Sequence, residues 1–191
     1  MKQTWQKYYS LTQNRPPSPL LLKALGYVTE PGTAIDIGGG ALNDTKYLLN
    51  LGFEVTVIDS EPLMAEKAAA IQSKKLHPVV ISFANFDFPK SSFYLSSAIY
   101  ALLFNPPDSF ERVFKNIRQS LVGGGIFCSQ FFGMHDEWSS NPSMTFHTQA
   151  QIEMLLDGMD ILMLDEEEKD GQTANGTPKH WHVFHVIARK V

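Results

Sequence analysis

The residues with the most chemistry in them form a short run, Asp36-Ile-Gly-Gly-Gly40, with Asp59 following nineteen residues after Gly40. Glycines let the backbone turn sharply and approach a ligand closely, with peptide N–H groups facing it. A carboxylate at the position of Asp59, next to Ser60, can accept both ribose hydroxyls of a nucleoside. Asp36 puts a second carboxylate just ahead of the glycines, where it suits an ammonium and would repel a pyrophosphate. A dinucleotide fingerprint also wants glycine where this chain has Asn43. A nicotinamide-dependent reductase is therefore disfavoured, and a nucleoside joined to an amino-acid ammonium fits better.

The six histidines, His77, His135, His147, His180, His182 and His185, form the second group. In an extended segment His180 and His182 point to the same face. If the substrate is a hydroxyl or an amine, His135, Asp136 or His180 could take its proton. Four histidines gathered near one ligand edge raise the question of a metal. Ligands need fixed geometry and supporting partners that spacing does not supply, so no metal site is assigned. The lone Cys128 lies in the apolar run Gly125–Phe132, where burial keeps a thiol inert.

These residues need a frame that brings them to one place. Apolar runs at Thr33–Ile37, Glu54–Ile58, Pro78–Ser82, Leu95–Tyr100 and Gly125–Phe132 read as strands. Between them, Asn43–Leu51, Pro62–Ser73 and Pro107–Leu121 carry helical spacing; Phe110, Val113, Phe114, Ile117 and Leu121 form an amphipathic stripe. Strand–helix alternation implies an α/β, Rossmann-like, mostly parallel sheet with helices on both faces. Its ligands belong at the carboxyl edge of the strands. Helical segments Gln3–Ser10 and Leu20–Leu25 precede it, separated by the Pro-rich break 14–19.

The tail departs from the alternation. Thr148 with Gln151 makes a capping box for a helix Gln149–Leu156. Strands Ile161–Glu166 and Trp181–Lys190, joined by a polar loop Lys169–Lys179, complete seven strands with a C-terminal antiparallel pair. If the sixth strand runs with the others, that loop emerges at the ligand edge. Lys179, His180 and Trp181 then lie near the site. The run Asp165–Asp170 reads as solvated charge.

The chain has 191 residues, 43% of them hydrophobic, which suits a single domain spanning 1–191. The net charge of −4 offers no electrostatic footprint for nucleic acid or an anionic membrane. One cysteine, no apolar leader and no long apolar stretch point to a cytoplasmic protein. The partner expected is a small-molecule substrate; the oligomeric state is left open.

Asp36-Ile-Gly-Gly-Gly-Ala-Leu42 resembles motif I of the class I S-adenosylmethionine-dependent methyltransferases, with Leu42 in place of the third motif glycine. More narrowly, the chain is similar to small bacterial methyltransferases of the tellurite-resistance-like type. The segments Phe131–Trp138, Met144–His147 and Lys179–His185 carry that likeness. The resemblance implies S-adenosylmethionine as cofactor, bound by Asp36, Gly38, Gly39, Gly40, Asp59 and Ser60. It further implies a lid over it from residues 1–25 with Tyr8 and Tyr9. The acidic residue that often follows strand three is replaced by Ser82 or Phe83, so adenine would rest on backbone groups and Phe83. Tyr100, Trp138 and His180 are the residues expected at the substrate. The implied activity is methyl transfer to a small acceptor: a thiol, amine, hydroxyl or chalcogen oxyanion. The alternative is a non-catalytic cofactor-binding module that meets a partner through exposed aromatics such as Trp5 and Trp138.

Overall fold

A computed structural model describes residues 2–191. Met1, the first residue of the expected lid, lies outside them. The helices are α1 (Lys2–Thr12), α2 (Pro19–Leu25), α3 (Asn43–Asn50), α4 (Pro62–Ala69), α5 (Pro107–Ser120) and α6 (Gln149–Leu155). The strands are β1 (Thr33–Ile37), β2 (Glu54–Asp59), β3 (Leu76–Val80), β4 (Phe93–Ala98), β5 (Leu121–Phe132), β6 (Met159–Gln172) and β7 (Pro178–Lys190). They form one sheet in the order β3-β2-β1-β4-β5-β7-β6. Only β7 runs against its neighbours, pairing antiparallel with both β5 and β6. β6 therefore points the same way as β1 to β5, and the turn after it opens at their carboxyl edge.

Alternation along the strands splits the core between the two faces. Ile35, Ile37, Phe127 and Phe131 pack with Phe110, Val113, Phe114 and Ile117 of α5 and with Ile152 of α6. On the opposite face Ala34, Val55, Leu95 and Cys128 pack against α2 and Leu48 of α3. Val57 meets Met64 and Ala68 of α4 together with Tyr9 of α1. Cys128 is fully buried and its thiol pKa is pushed up to about 12, chiefly by desolvation. Thr148 and Gln151 cap α6 reciprocally, as their spacing predicts.

Strands β3 and β4 and helix α4 end a few residues before the pattern-based bounds, and two larger differences concern β5 and β6. Gly123–Gly125 lie inside β5, which begins directly after α5; Gly124 adopts φ +78°, and the β4–β5 register shifts between Phe93 and Leu95. Glycine here accommodates a bulge rather than a separate turn. The polar segment 169–179 is mostly strand, leaving only Thr173–Thr177 as a tight connection. Asn175 Oδ1 accepts the Thr177 N–H, and Gly176 sits at φ +85°. The acidic run belongs to β6 because its charges have cross-strand or same-strand partners. Glu166 meets His182 at 2.7 Å, Glu167 meets Lys169 at 2.7 Å, and Asp170 meets His180 at 2.8 Å.

Candidate active site

β1 delivers Asp36 and then the glycine turn to the carboxyl edge. Gly38 adopts φ +73°, and a Cβ there would lie 2.6 Å from the Ala101 Cβ. At Gly39 a Cβ would come within 2.2 Å of the Val57 methyl. Larger residues would push the turn off the sheet. Leu42, in the position of the missing third glycine, keeps the turn's left-handed backbone at φ 66° with its side chain fully buried.

Asp59 closes β2 and is oriented by the turn itself. Its Oδ2 accepts the Gly40 N–H at 3.0 Å and its Oδ1 accepts the Glu61 N–H at 2.9 Å. Tyr9, from α1, is buried with its hydroxyl unpartnered. Burial, and next the nearby Asp59 carboxylate, raise the phenol pKa. Asp36 is buried beneath the glycines and accepts the Thr45 hydroxyl at 2.5 Å. Desolvation, then repulsion from Asp44, lifts its pKa to about 7 in spite of that bond. Desolvation raises Asp44 as well, although its Oδ1 accepts the Ser18 N–H at 2.7 Å.

A cavity of about 1190 Å³ joins these groups to an aromatic end. Asp36, Gly38, Gly39, Gly40, Asp59, Ser60, Phe83 and Tyr9 all border it, as do Tyr100 and Trp138. Tyr100 lies just past β4 at φ 51°, held by its N–H donating to Gln130 Oε1 at 3.1 Å. A non-glycine residue in that region stores strain of order 1 kcal/mol. Its neighbour Ala101 touches the glycine turn, so the ring sits where the two ends of the cavity meet. The Tyr100 ring is 6.0 Å from those of Phe132 and Trp181, and Trp181 is 5.9 Å from Trp138.

His135, Asp136 and His180 do not border this cavity. On β7 Trp181 and Val183 face it, so alternation turns His180 and His182 to the other side of the sheet. His180 bonds Asp170 and Glu168 there, and these carboxylates raise its pKa. His135 is exposed, meets Glu168 at 3.2 Å and stacks on the His182 ring at 4.8 Å. Asp136 is 1% exposed and spends its carboxylate on the Lys179 ammonium and on the Trp138 and His182 N–H groups. Each of these three candidate bases is thus engaged with other groups and lies outside the cavity lining. His135, His182 and Glu168 do place ligand-type atoms within 4.8 Å of one another. However, the His182 Nδ1 accepts the His135 N–H and its Nε2 meets Glu166, so both nitrogens are occupied.

The residues that sequence reasoning passed over are Phe132, which lines the cavity, and Asp44 beside Asp36; Trp181 and the β6–β7 connection, expected near the ligand edge, do border it. The parity of Trp181 and Val183 against His180 and His182 is the signal that separates the two faces. Its sense is set only by which face the cavity occupies.

Residues 34–125 match the family model described as a methyltransferase domain. Among curated proteins no sequence matches the chain. Solved structures do match it in fold. Burkholderia thailandensis 1,6-didemethyltoxoflavin-N1-methyltransferase, with bound 1,6-didemethyltoxoflavin and S-adenosylhomocysteine, superposes with a TM-score of 0.68 at 21% identity. That match covers 91% of this chain and 77% of the other. TehB from Haemophilus influenzae gives 0.75 at 13% identity, over 90% of this chain and 61% of TehB. The N-methyltransferase NodS from Bradyrhizobium japonicum WM9, in complex with S-adenosylhomocysteine, gives 0.71 at 14% identity, over 98% and 97%. Among the described residues no helix is long and apolar enough to cross a membrane. The glycine turn and its carboxylates fall within or beside the matched region: this chain resembles S-adenosylmethionine-dependent methyltransferases in fold and carries a methyltransferase-domain match over residues 34–125.

Proposed function

We propose that this enzyme methylates a small-molecule acceptor held at the aromatic end of the cavity, with S-adenosylmethionine lying along the glycine turn. The observation that carries this reading is the continuity of the two ends through Tyr100 and Ala101. The groups present fit the cofactor. Asp59, already aligned by two backbone N–H groups, takes the ribose hydroxyls, and the unpartnered Tyr9 hydroxyl lies beside it. Asp36 and Asp44, both with raised pKa values, await a cation, which the methionine ammonium supplies. Phe83, within contact of the Gly38 position, packs on adenine, and Ser60 follows Asp59 at the same edge. Residues 1–25 close over this end through Tyr8, Tyr9 and Arg15.

The cofactor's sulfonium supplies an activated methyl group when bound. The chain's contribution is position and the exclusion of water. The ring of Tyr100, set by its strained backbone and Gln130, fixes where the acceptor meets the methyl end. With His135, Asp136 and His180 occupied elsewhere, the reading favours an acceptor that is nucleophilic in its neutral form. Two fold neighbours are named N-methyltransferases, which accords with nitrogen as the accepting atom. Thermal unfolding with added ligand tests the assignment. S-adenosylhomocysteine at one hundred times its Kd should stabilise by about 2.7 kcal/mol, raising Tm by roughly 5–11 °C. A shift with NADH and none with S-adenosylmethionine or S-adenosylhomocysteine at millimolar concentration would refute it.

A further inference from the structure

We infer that the acceptor is a flat, uncharged aromatic or heteroaromatic ring, selected by Tyr100, Trp138 and Trp181, with the Lys179 ammonium buried against the two indoles. This rests on the methyltransferase reading above and names the class of substrate for that site.

The wall opposite the glycine turn is made of π-faces. Tyr100, Phe132, Trp138 and Trp181 all border the cavity; Tyr100 packs edge-to-face on Phe132 and Trp181, and Trp181 is tilted against Phe132 and Trp138. Such a wall offers large contact area to a planar ring and few hydrogen bonds to a saturated polar molecule.

Charge sets the second half of the preference. Lys179 Nζ lies 3.9 Å from the Trp181 ring centroid and 4.4 Å from that of Trp138. It is 3% exposed and does not border the cavity, whereas both indoles do. Lys179 shares the parity of Trp181 and Val183 on β7, so its ammonium lies on the cavity side of the sheet, covered by the two indoles it touches. Its three donor directions are used by the two Asp136 oxygens and the His180 carbonyl. A cation already seated on those π-faces takes up the attraction they would offer a cationic ligand. An anion is disfavoured for a separate reason. Lys179 is neutralised by Asp136, and Lys169, which does border the cavity, is held by Glu167 at 2.7 Å. Glu167, on the same wall, is likewise occupied by Lys169, so the pair offers no free charge of either sign. A chalcogen oxyanion thus meets π-faces and paired charges at this end, where it needs free cations.

The Asp136–Lys179 pair also fixes the geometry. Asp136 Oδ1 accepts the Trp138 N–H at 3.0 Å, while Lys179 precedes Trp181 by two residues on β7. One buried ion pair therefore ties the loop carrying one indole to the strand carrying the other.

The test is calorimetric titration of the whole protein saturated with S-adenosylhomocysteine. The probes are three flat neutral rings (quinazolin-4-one, lumazine and indole), cyclohexanecarboxamide as a saturated control, and potassium tellurite. At least one flat ring should bind ten times more tightly than cyclohexanecarboxamide and than tellurite. Trp181→Leu should abolish that preference and Trp181→Phe should retain most of it, with S-adenosylhomocysteine affinity unchanged within about twofold. Where Trp181→Leu does not fold, Trp138→Leu, on the loop, serves in its place. The inference is overturned if no flat ring binds, if the saturated control or tellurite binds as tightly, or if the preference survives the leucine variant. Failure of S-adenosylhomocysteine itself to bind would overturn the methyltransferase reading beneath it.

Discussion

Asp36→Asn should make the cofactor-free protein more stable, and more so at pH 8 than at pH 5. The wild-type carboxyl is buried under the glycine turn, faces Asp44 and Asp59, and has its pKa raised from 3.8 to about 7. Below pH 3.8 it is protonated in both folded and unfolded chains and contributes no pH dependence. Between 3.8 and 7 the folded state holds the proton that the unfolded state releases, so stability falls as pH rises; above 7 the full penalty is present. At 1.36 kcal/mol per pH unit, the two units between pH 5 and pH 7 amount to about 2–3 kcal/mol. Asparagine keeps an oxygen for the Thr45 hydroxyl but carries no charge to desolvate. Urea unfolding of the cofactor-free variant and wild type at both pH values isolates this effect, because any packing loss from the substitution is common to both. The variant's advantage should grow by about 2–3 kcal/mol from pH 5 to pH 8, or roughly 4–12 °C in Tm. The same charge is what a cationic ligand would neutralise, so the variant should bind S-adenosylmethionine more weakly. Wild-type binding near pH 6 should release protons, seen as a dependence of the calorimetric heat on buffer ionisation enthalpy. An advantage equal at both pH values, or larger at pH 5, would refute the account of Asp36.

Two other substitutions probe opposite ends of the cavity. Asp59→Ala removes charge-assisted hydrogen bonds of about 1.5–3 kcal/mol and should weaken S-adenosylhomocysteine roughly tenfold to hundredfold in titration calorimetry; unchanged affinity would place the ribose elsewhere. Lys179→Met leaves the Asp136 carboxylate buried without its cation and should cost about 3–5 kcal/mol in urea unfolding. Lys179→Met with Asp136→Leu should recover part of that loss, and a double-variant loss equal to the sum of the two single-variant losses would show that the pair is not coupled.

The alternation of strand and helix, the α/β class, the sheet's carboxyl edge and the glycine turn between Asp36 and Asp59 were all legible in the sequence. Each is written in residues close along the chain: period-two and period-3.6 patterns, a capping box, and glycines at positions where φ is positive or the backbone passes within 2.2–2.6 Å of a would-be Cβ clash. What only the tertiary structure decided lies where distant segments meet. The length of β6 could not be read from its acidic run, because those charges become acceptable in a strand only when His182, His180 and Lys169 stand opposite or alongside. The placing of His180 turned on one residue of parity along β7. Trp181 and Val183 face the cavity, so His180 and His182 cannot, and a shift of one residue would have exchanged the two pairs. Likewise Asp136 is chemically a plausible base by type and position. Only its burial against Lys179, forty-three residues away, engages its carboxylate outside the cavity. Residue type and local spacing determine what a side chain is able to do; the pairing of strands far apart in sequence determines which side of the sheet it does it on.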